Sequence, residues 1–268
     1  MKIAVLMKLV AGSNTESFRC GGTVRSLESG IVNPADVLAL ETAVRINREI
    51  GAEIAVFTMG PNCALSLLKD ASRLGTSRNY LVSDPCFAGS DTYATAKILS
   101  RALVFAGGFD LILCGERAID GETGQVPGEL SAMVGASFAS GVIELETIEE
   151  RFVVCRCENG HFVDTLKMPY PCVLGISNGM QGVDHPVLPK LSDIRKSYQS
   201  KTTTISIADL HLRKDEAGTS GSLTDVKQVT RVDWQRTGKK EFDLEKAVEF
   251  TLQMIHALEI EVRQIEYE

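Results

Sequence analysis

The stretch Gly115-Glu-Arg-Ala-Ile-Asp-Gly-Glu-Thr-Gly-Gln-Val126 has the residue types that a phosphate-bearing ligand needs. Gly121 and Gly124 permit close backbone approach, and Pro127 opens a helix whose first N–H groups face the loop. Thr123 and Gln125 add side-chain donors. Asp120 has a different use, because a carboxylate repels phosphate and better accepts from a ribose hydroxyl, a ring N–H or a backbone amide. Taken alone, the stretch is equally well described as a polar glycine-rich turn with Asp120 as a cap.

A second polar loop changes that balance. Ser90, Asp91, Thr92 and Thr95 stand at the start of another helix, where hydroxyls and carboxylates commonly act as caps. If the strands before the two loops are neighbours, both loops face one crevice, and a nucleotide becomes the expected ligand. Two common phosphate signatures are missing: no G-x-G-x-x-G follows the first strand, and no G-x-x-x-x-G-K-S/T occurs. None of His161, His185, His211 and His256 pairs with a nucleophile elbow, so no catalytic residue is assigned and a hydrolase has little support. An ATP pyrophosphatase of similar fold would need S-G-G-x-D-S where the chain has Ala11-Gly-Ser-Asn14.

The elements that position these loops alternate as βαβ units do. Apolar runs at Ile3–Met7, Ile54–Phe57, Tyr80–Val82 and Leu111–Cys114 are separated by helical patterns, which predicts a doubly wound, mostly parallel α/β sheet. The helices are expected from Asn33-Pro34 to about Ile50, from Pro61 to Leu74, and from Ser90-Asp-Thr92 to about Ala106, each ended by a glycine. After Gly141 come short strand candidates, with a hairpin turn at Asn159-Gly160, which predicts an antiparallel edge. Residues 1–200 are expected to form the nucleotide-binding domain and 201–268 an arm, with an exposed loop over Lys214–Leu223 and a final helix from about Asp243 to Glu259.

Composition narrows the function. A net charge of −7 argues against a nucleic-acid partner. No apolar run approaches the roughly 20 residues of a membrane helix, and Met1–Lys8 is too short for a signal sequence, so no membrane insertion and a cytoplasmic location are expected. The seven cysteines are scattered, and the Cys155-Arg-Cys157 spacing is not that of a zinc site, so no metal is expected.

Five segments in order resemble the electron transfer flavoprotein β subunits: Ile3–Lys8, Asn33-Pro-Ala-Asp-Val-Leu-Ala-Leu-Glu41, Met59-Gly-Pro61, Ser90-Asp-Thr-Tyr-Ala-Thr-Ala96, and Asp110–Gly115 continued through Ala118–Val126. The resemblance implies a nucleotide held by Leu6, Asn33, Asp36, Met59, Ser90, Asp91, Thr92, Thr95 and residues 115 to 126, among them Gly115, Arg117, Ala118, Ile119, Asp120, Gly121, Thr123, Gly124, Gln125 and Val126. It also implies that the sheet is of the Rossmann-like, adenine-nucleotide-binding kind, and a heterodimer with an α subunit that carries an FAD. In one branch of the family the β subunit holds AMP; in the electron-bifurcating branch it holds a second FAD, with NADH as the electron donor, and the wording Asp120-Gly-Glu-Thr-Gly-Gln-Val126 resembles that branch. The loop His185-Pro-Val-Leu-Pro-Lys-Leu-Ser-Asp-Ile194 resembles the element that meets an acyl-CoA dehydrogenase or related flavoenzyme, with Leu188 at the anchor position. The chain departs from the family pattern near the first strand, where no proline follows Lys8 and where Ala35 and Val37 replace the usual aromatic and Glu.

Overall fold

The computed structural model describes residues 1–10, 16–19, 22–25, 30–183, 186–225, 248 and 251–253. In chain order the strands are β1 (Lys2–Leu6), β2 (Leu9–Val10), β3 (Glu16–Arg19), β4 (Gly22–Arg25), β5 (Ile31–Val32), β6 (Glu53–Met59), β7 (Arg78–Val82), β8 (Leu111–Gly115), β9 (Ser137–Ile148), β10 (Phe152–Asn159), β11 (Phe162–Pro169), β12 (Cys172–Ile176) and β13 (Thr202–Ile205). The helices are α1 (Pro34–Ile50), α2 (Leu65–Arg73), α3 (Thr92–Phe105), α4 (Val126–Val134), α5 (Leu191–Ser197) and the single turn α6 (Gly218–Gly221).

The main sheet runs β11-β10-β9-β12-β8-β1-β6-β7-β13. From β9 to β13 every neighbouring pair is parallel, and the β9-β10-β11 edge is antiparallel. The expected α/β fold and its antiparallel extension are therefore both present. The central strands are buried on both sides. Ile3, Val5 and Met7 of the first strand region pack with α1 and α2, whereas Ala4 and Leu6 face α3 and α4. This double cover explains why those strands read as continuous apolar runs.

Helix ends follow local chemistry with two corrections. Gly51, at φ +73°, closes α1 where Ile50 was expected to be last. Asn33, however, does not cap α1 with its side chain, which is engaged elsewhere. The helix expected from Pro61 begins as a 3₁₀ turn over Asn62–Ala64, and α2 starts at Leu65. Asp91 caps α3 by accepting from the Ala94 N–H at 2.9 Å. At the antiparallel edge, β9 starts before Gly141 and passes through it. Gly141 has φ +66°, and a Cβ there would sit 2.6 Å from the Glu158 carbonyl oxygen.

The residues form two compact units, Met1–Val229 and Thr230–Glu268. The boundary expected at residue 200 precedes β13, which pairs in parallel with β7 from Thr202↔Asn79 to Ile205↔Val82. The exposed loop expected over Lys214–Leu223 is instead a docked strap: a 3₁₀ turn (Lys214–Glu216), then α6, with Ala217 and Gly218 buried. Of the final helix, Val248 and Thr251–Gln253 are described and helical; the rest of that expectation lies outside the described residues, as do Ala11–Asn14 and His185. Among the described residues no helix is long and apolar enough to cross a membrane.

Candidate nucleotide-binding site

The strand order places the site. β1 lies between β6 and β8, so the chain winds away from it in both directions, and the loops after β1 and β8 part at their carboxyl ends. Leu6 ends β1, Met59 ends the adjacent β6, and Gly115 ends β8. All three expected residues therefore reach the same edge of the sheet. Leu6 is buried under α3 and α4, and Met59 is half-buried.

Asn33 and Asp36 fasten the crevice. Asn33 is 1% exposed; its Nδ2 donates to the Arg117 carbonyl at 3.1 Å, and its Oδ1 accepts from the Ile119 N–H at 3.2 Å. One amide thus satisfies two backbone groups of the loop that follows β8. Asp36 accepts from the Lys8 N–H at 2.7 Å and from the Gly115 N–H at 2.8 Å, tying the ends of β1 and β8 together. Burial pushes its carboxyl up from 3.8 to about 6, and a hydrogen bond with the Asn33 side chain and then those same backbone donors limit the rise. Gly115 has no room for a side chain: a Cβ would fall 2.6 Å from Asp36 Oδ1, 2.8 Å from Ala35 Cβ and 2.9 Å from Asn33 Nδ2.

Lys8, which the sequence reading did not single out, reaches across the crevice. Its Nζ lies 2.8 Å from Asp120 Oδ1, the ammonium side chain being 45% exposed and the carboxylate side chain 1%. Asp120 was expected to accept from a ribose hydroxyl, a ring N–H or a backbone amide; a lysine is among its partners here. The available signal was a cationic residue directly after the apolar run Ile3–Met7, at the switch point. Beyond Asp120 the loop turns back on itself, with the Gly121 and Glu122 N–H groups donating to the Ala118 carbonyl at 3.3 and 2.8 Å. Glu122 (φ +50°) and Gly124 (φ +63°) both adopt the left-handed conformation. Only at Gly124 is that conformation inexpensive. Ile119, Gly121, Thr123 and Gln125 are exposed, Ala118 and Val126 are half-buried, and the Arg117 side chain is 56% exposed with its Nε 3.3 Å from Glu116 Oε1.

The two helix N-termini meet. Thr92 Oγ1 lies 3.2 Å from Gln125 Oε1 and 3.1 Å from Glu129 Oε1, which joins the first turns of α3 and α4. Thr95 is half-buried one turn further along α3. Ser90 and Asp91 stand beside them, but their side chains are engaged by the strap. Ser90 Oγ accepts from the Gly218 N–H at 3.1 Å, and Asp91 Oδ2 accepts from the Leu223 and Thr224 N–H groups at 2.8 and 2.9 Å. Burial works against ionisation of Asp91, and these donors with the Ala94 N–H hold its pKa below the ordinary value. Leu188 is not part of this crevice. It is 76% exposed, and its carbonyl accepts from Arg48 near the far end of α1. A separate cleft of about 390 Å³ opens beside Met1, Asp110, Glu149, Glu150 and Tyr170, at the amino ends of the strands; its acidic lining is unsuited to a phosphate.

Two helix N-termini, the exposed Thr123 and Gln125 and the glycine turn between them line this crevice, an arrangement able to accept a phosphate, with Lys8 and Arg117 beside it, each paired with a carboxylate. Residues 22–210 match the electron transfer flavoprotein domain. The chain belongs to the electron transfer flavoprotein family, among its β subunits. It is 33% identical over 245 residues to an electron transfer flavoprotein subunit beta of Thermoanaerobacterium thermosaccharolyticum, covering 89% of this chain and 91% of that protein. It is 30% identical to the caffeyl-CoA reductase-Etf complex subunit CarD of Acetobacterium woodii, over 84% of this chain and 86% of the relative. The acryloyl-CoA reductase electron transfer subunit gamma of Anaerotignum propionicum is 27% identical, over 84% and 86%. As a member of this family the chain is an electron-transfer protein, in keeping with a crevice in which charges are paired.

Proposed function

We propose that the chain is the β subunit of a heterodimer in which an α subunit carries one FAD, and that the crevice at the carboxyl ends of β1, β6 and β8 holds a second FAD used in electron bifurcation. The observation that carries this reading is the double tether of the 115–126 loop at the switch point, by Asn33 to Arg117 and Ile119 and by Lys8 to Asp120. Similarity to subunits named for the caffeyl-CoA reductase and acryloyl-CoA reductase systems supports the choice of FAD over AMP.

The donor set fits such a group. The α4 N-terminus and Thr123, Gln125 and Thr92 would bind the diphosphate, with Lys8 and Arg117 supplying positive charge. Bound FAD supplies a carrier that takes up two electrons together and releases them singly. The chain's own part is to hold position and field. Asp36 locks the β1 and β8 ends, Asn33 fixes the loop backbone, and Asp120 offsets the Lys8 charge, so little has to rearrange when charge arrives. Acid–base chemistry is not required of any side chain in the crevice. Leu188 serves as the anchor for a flavin dehydrogenase of the acyl-CoA dehydrogenase class.

Cofactor extraction from the co-purified αβ complex tests the reading. Two FAD per heterodimer support it, one FAD with one AMP identifies a plain carrier with a structural nucleotide, and absence of flavin overturns it.

A further inference from the structure

Leu188 is held from behind. Val187 is 8% exposed and its N–H donates to Glu41 Oε1 at 3.4 Å, while the Leu188 carbonyl accepts from Arg48 Nη2 at 2.7 Å. Both holding residues belong to α1, seven positions apart, which is about two helical turns and places them on one face. Glu41 is itself 8% exposed, whereas Leu188 and Leu191 are 76% and 82% exposed. The loop is framed by Pro186 and Pro189, which lack backbone N–H donors and restrict their neighbours. No strand or helix holds residues 186–190, so the two α1 contacts fix backbone that regular structure does not.

We propose that Glu41 and Arg48 are positioning residues for partner docking: they hold Val187 inward and Leu188 outward, presenting the leucine in one orientation to a flavoenzyme of the acyl-CoA dehydrogenase class. The inference rests on the reading of Leu188 as the docking anchor. An anchor on loose backbone must be ordered on every encounter, whereas a held anchor carries that entropic cost in advance. Loss of either contact therefore weakens the encounter and leaves the electron-transfer step alone. Glu41 and Arg48 act through the backbone of the loop and not by contact with cofactor or partner.

The test uses the αβ complex with its cofactors as the varied acceptor, and one acyl-CoA dehydrogenase that reduces the wild-type complex, with its acyl-CoA saturating. Glu41→Met and Arg48→Met are each expected to raise KM for the complex about five-fold at unchanged kcat. Glu41→Gln, whose amide oxygen still accepts from Val187, stays within two-fold of wild type. Hydrogen exchange at the Val187 amide speeds up in Glu41→Met and not in Glu41→Gln. Arg48 is exposed, so Arg48→Met keeps the test in hand if the buried Glu41→Met fails to fold. Leu188→Ala separates the two levels. If it raises KM while both methionine variants stay within two-fold, the positioning role is overturned and the docking loop stands. If Leu188→Ala is also without effect, the docking reading fails and the positioning role with it.

Discussion

Replacing Asn33 by leucine removes both tethers of the 115–126 loop at nearly constant volume. The lost bonds are those to the Arg117 carbonyl at 3.1 Å and from the Ile119 N–H at 3.2 Å. A net hydrogen bond is worth roughly 1 kcal/mol, so the pair contributes about 2 kcal/mol. Leaving the two backbone groups unmatched costs about 1–3 kcal/mol each in full burial, but Ile119 and Arg117 are exposed enough for water to reach them, and the penalty falls below that range. Water can therefore replace the tethers in the free protein, with a small loss of folding stability, about 1 kcal/mol. The larger effect falls on the ligand, which must now order the loop itself. About 2 kcal/mol is a roughly thirty-fold weaker nucleotide. The assay is equilibrium dialysis of FAD against the αβ complex, with urea unfolding alongside. An Asn33→Leu complex that keeps FAD within three-fold of wild-type affinity would refute the claim that the tethered loop forms the site.

Three further outcomes follow from the same contacts. Gly115→Ala places a Cβ 2.6 Å from Asp36 Oδ1 and 2.8 Å from Ala35 Cβ, so α1 must move from β8; a loss of about 3 kcal/mol in urea unfolding is expected, and a change under 1 kcal/mol contradicts the packing. Lys8→Met removes the ion pair to the Asp120 carboxylate, whose side chain is 1% exposed; the expected cost is about 2 kcal/mol, discounted for the half-exposed lysine, and a Lys8→Met/Asp120→Asn double variant should be less destabilised than the sum of its singles. Asp36 keeps its proton up to about pH 6 in the folded chain, against 3.8 as its ordinary value, so the folded state binds more protons between those values and stability falls as pH rises through them. The shift of roughly two units corresponds to about 3 kcal/mol, and Asp36→Asn should flatten the unfolding free energy over that window by a similar amount; parallel wild-type and variant pH profiles would sink the assignment.

Much of the central fold was legible because its causes are local or periodic. Strands buried on both faces are continuous apolar runs, Gly51 marks a helix end, and Asn159-Gly160 marks a hairpin between β10 and β11. The crevice was legible as a set of loops because topology alone brings the ends of β1, β6 and β8 to one edge. The pairings within it were not. Asn33 before a proline has the local pattern of a helix cap, yet its amide is used by residues 84 and 86 positions away. Lys8 and Asp120 are 112 positions apart, and no spacing rule joins them. Thr202–Ile205 has too few apolar residues to stand out as a strand, and it becomes one because β7 offers an open edge. Gly218 illustrates the strap in the same way: a Cβ there would fall 2.3 Å from the Cys86 carbonyl oxygen, so a glycine that suggested an exposed loop is required by close docking.

Hydrogen exchange mass spectrometry of the αβ complex, before and after refilling of the β-subunit site with FAD, bears most directly on the crevice. Binding of FAD in this crevice is expected to bring new protection in this chain at the amides of residues 115–126 and at the first turns of α3 and α4, with the amino ends of the strands unchanged. Protection confined to any other part of the chain, with the 115–126 amides exchanging as before, would contradict it.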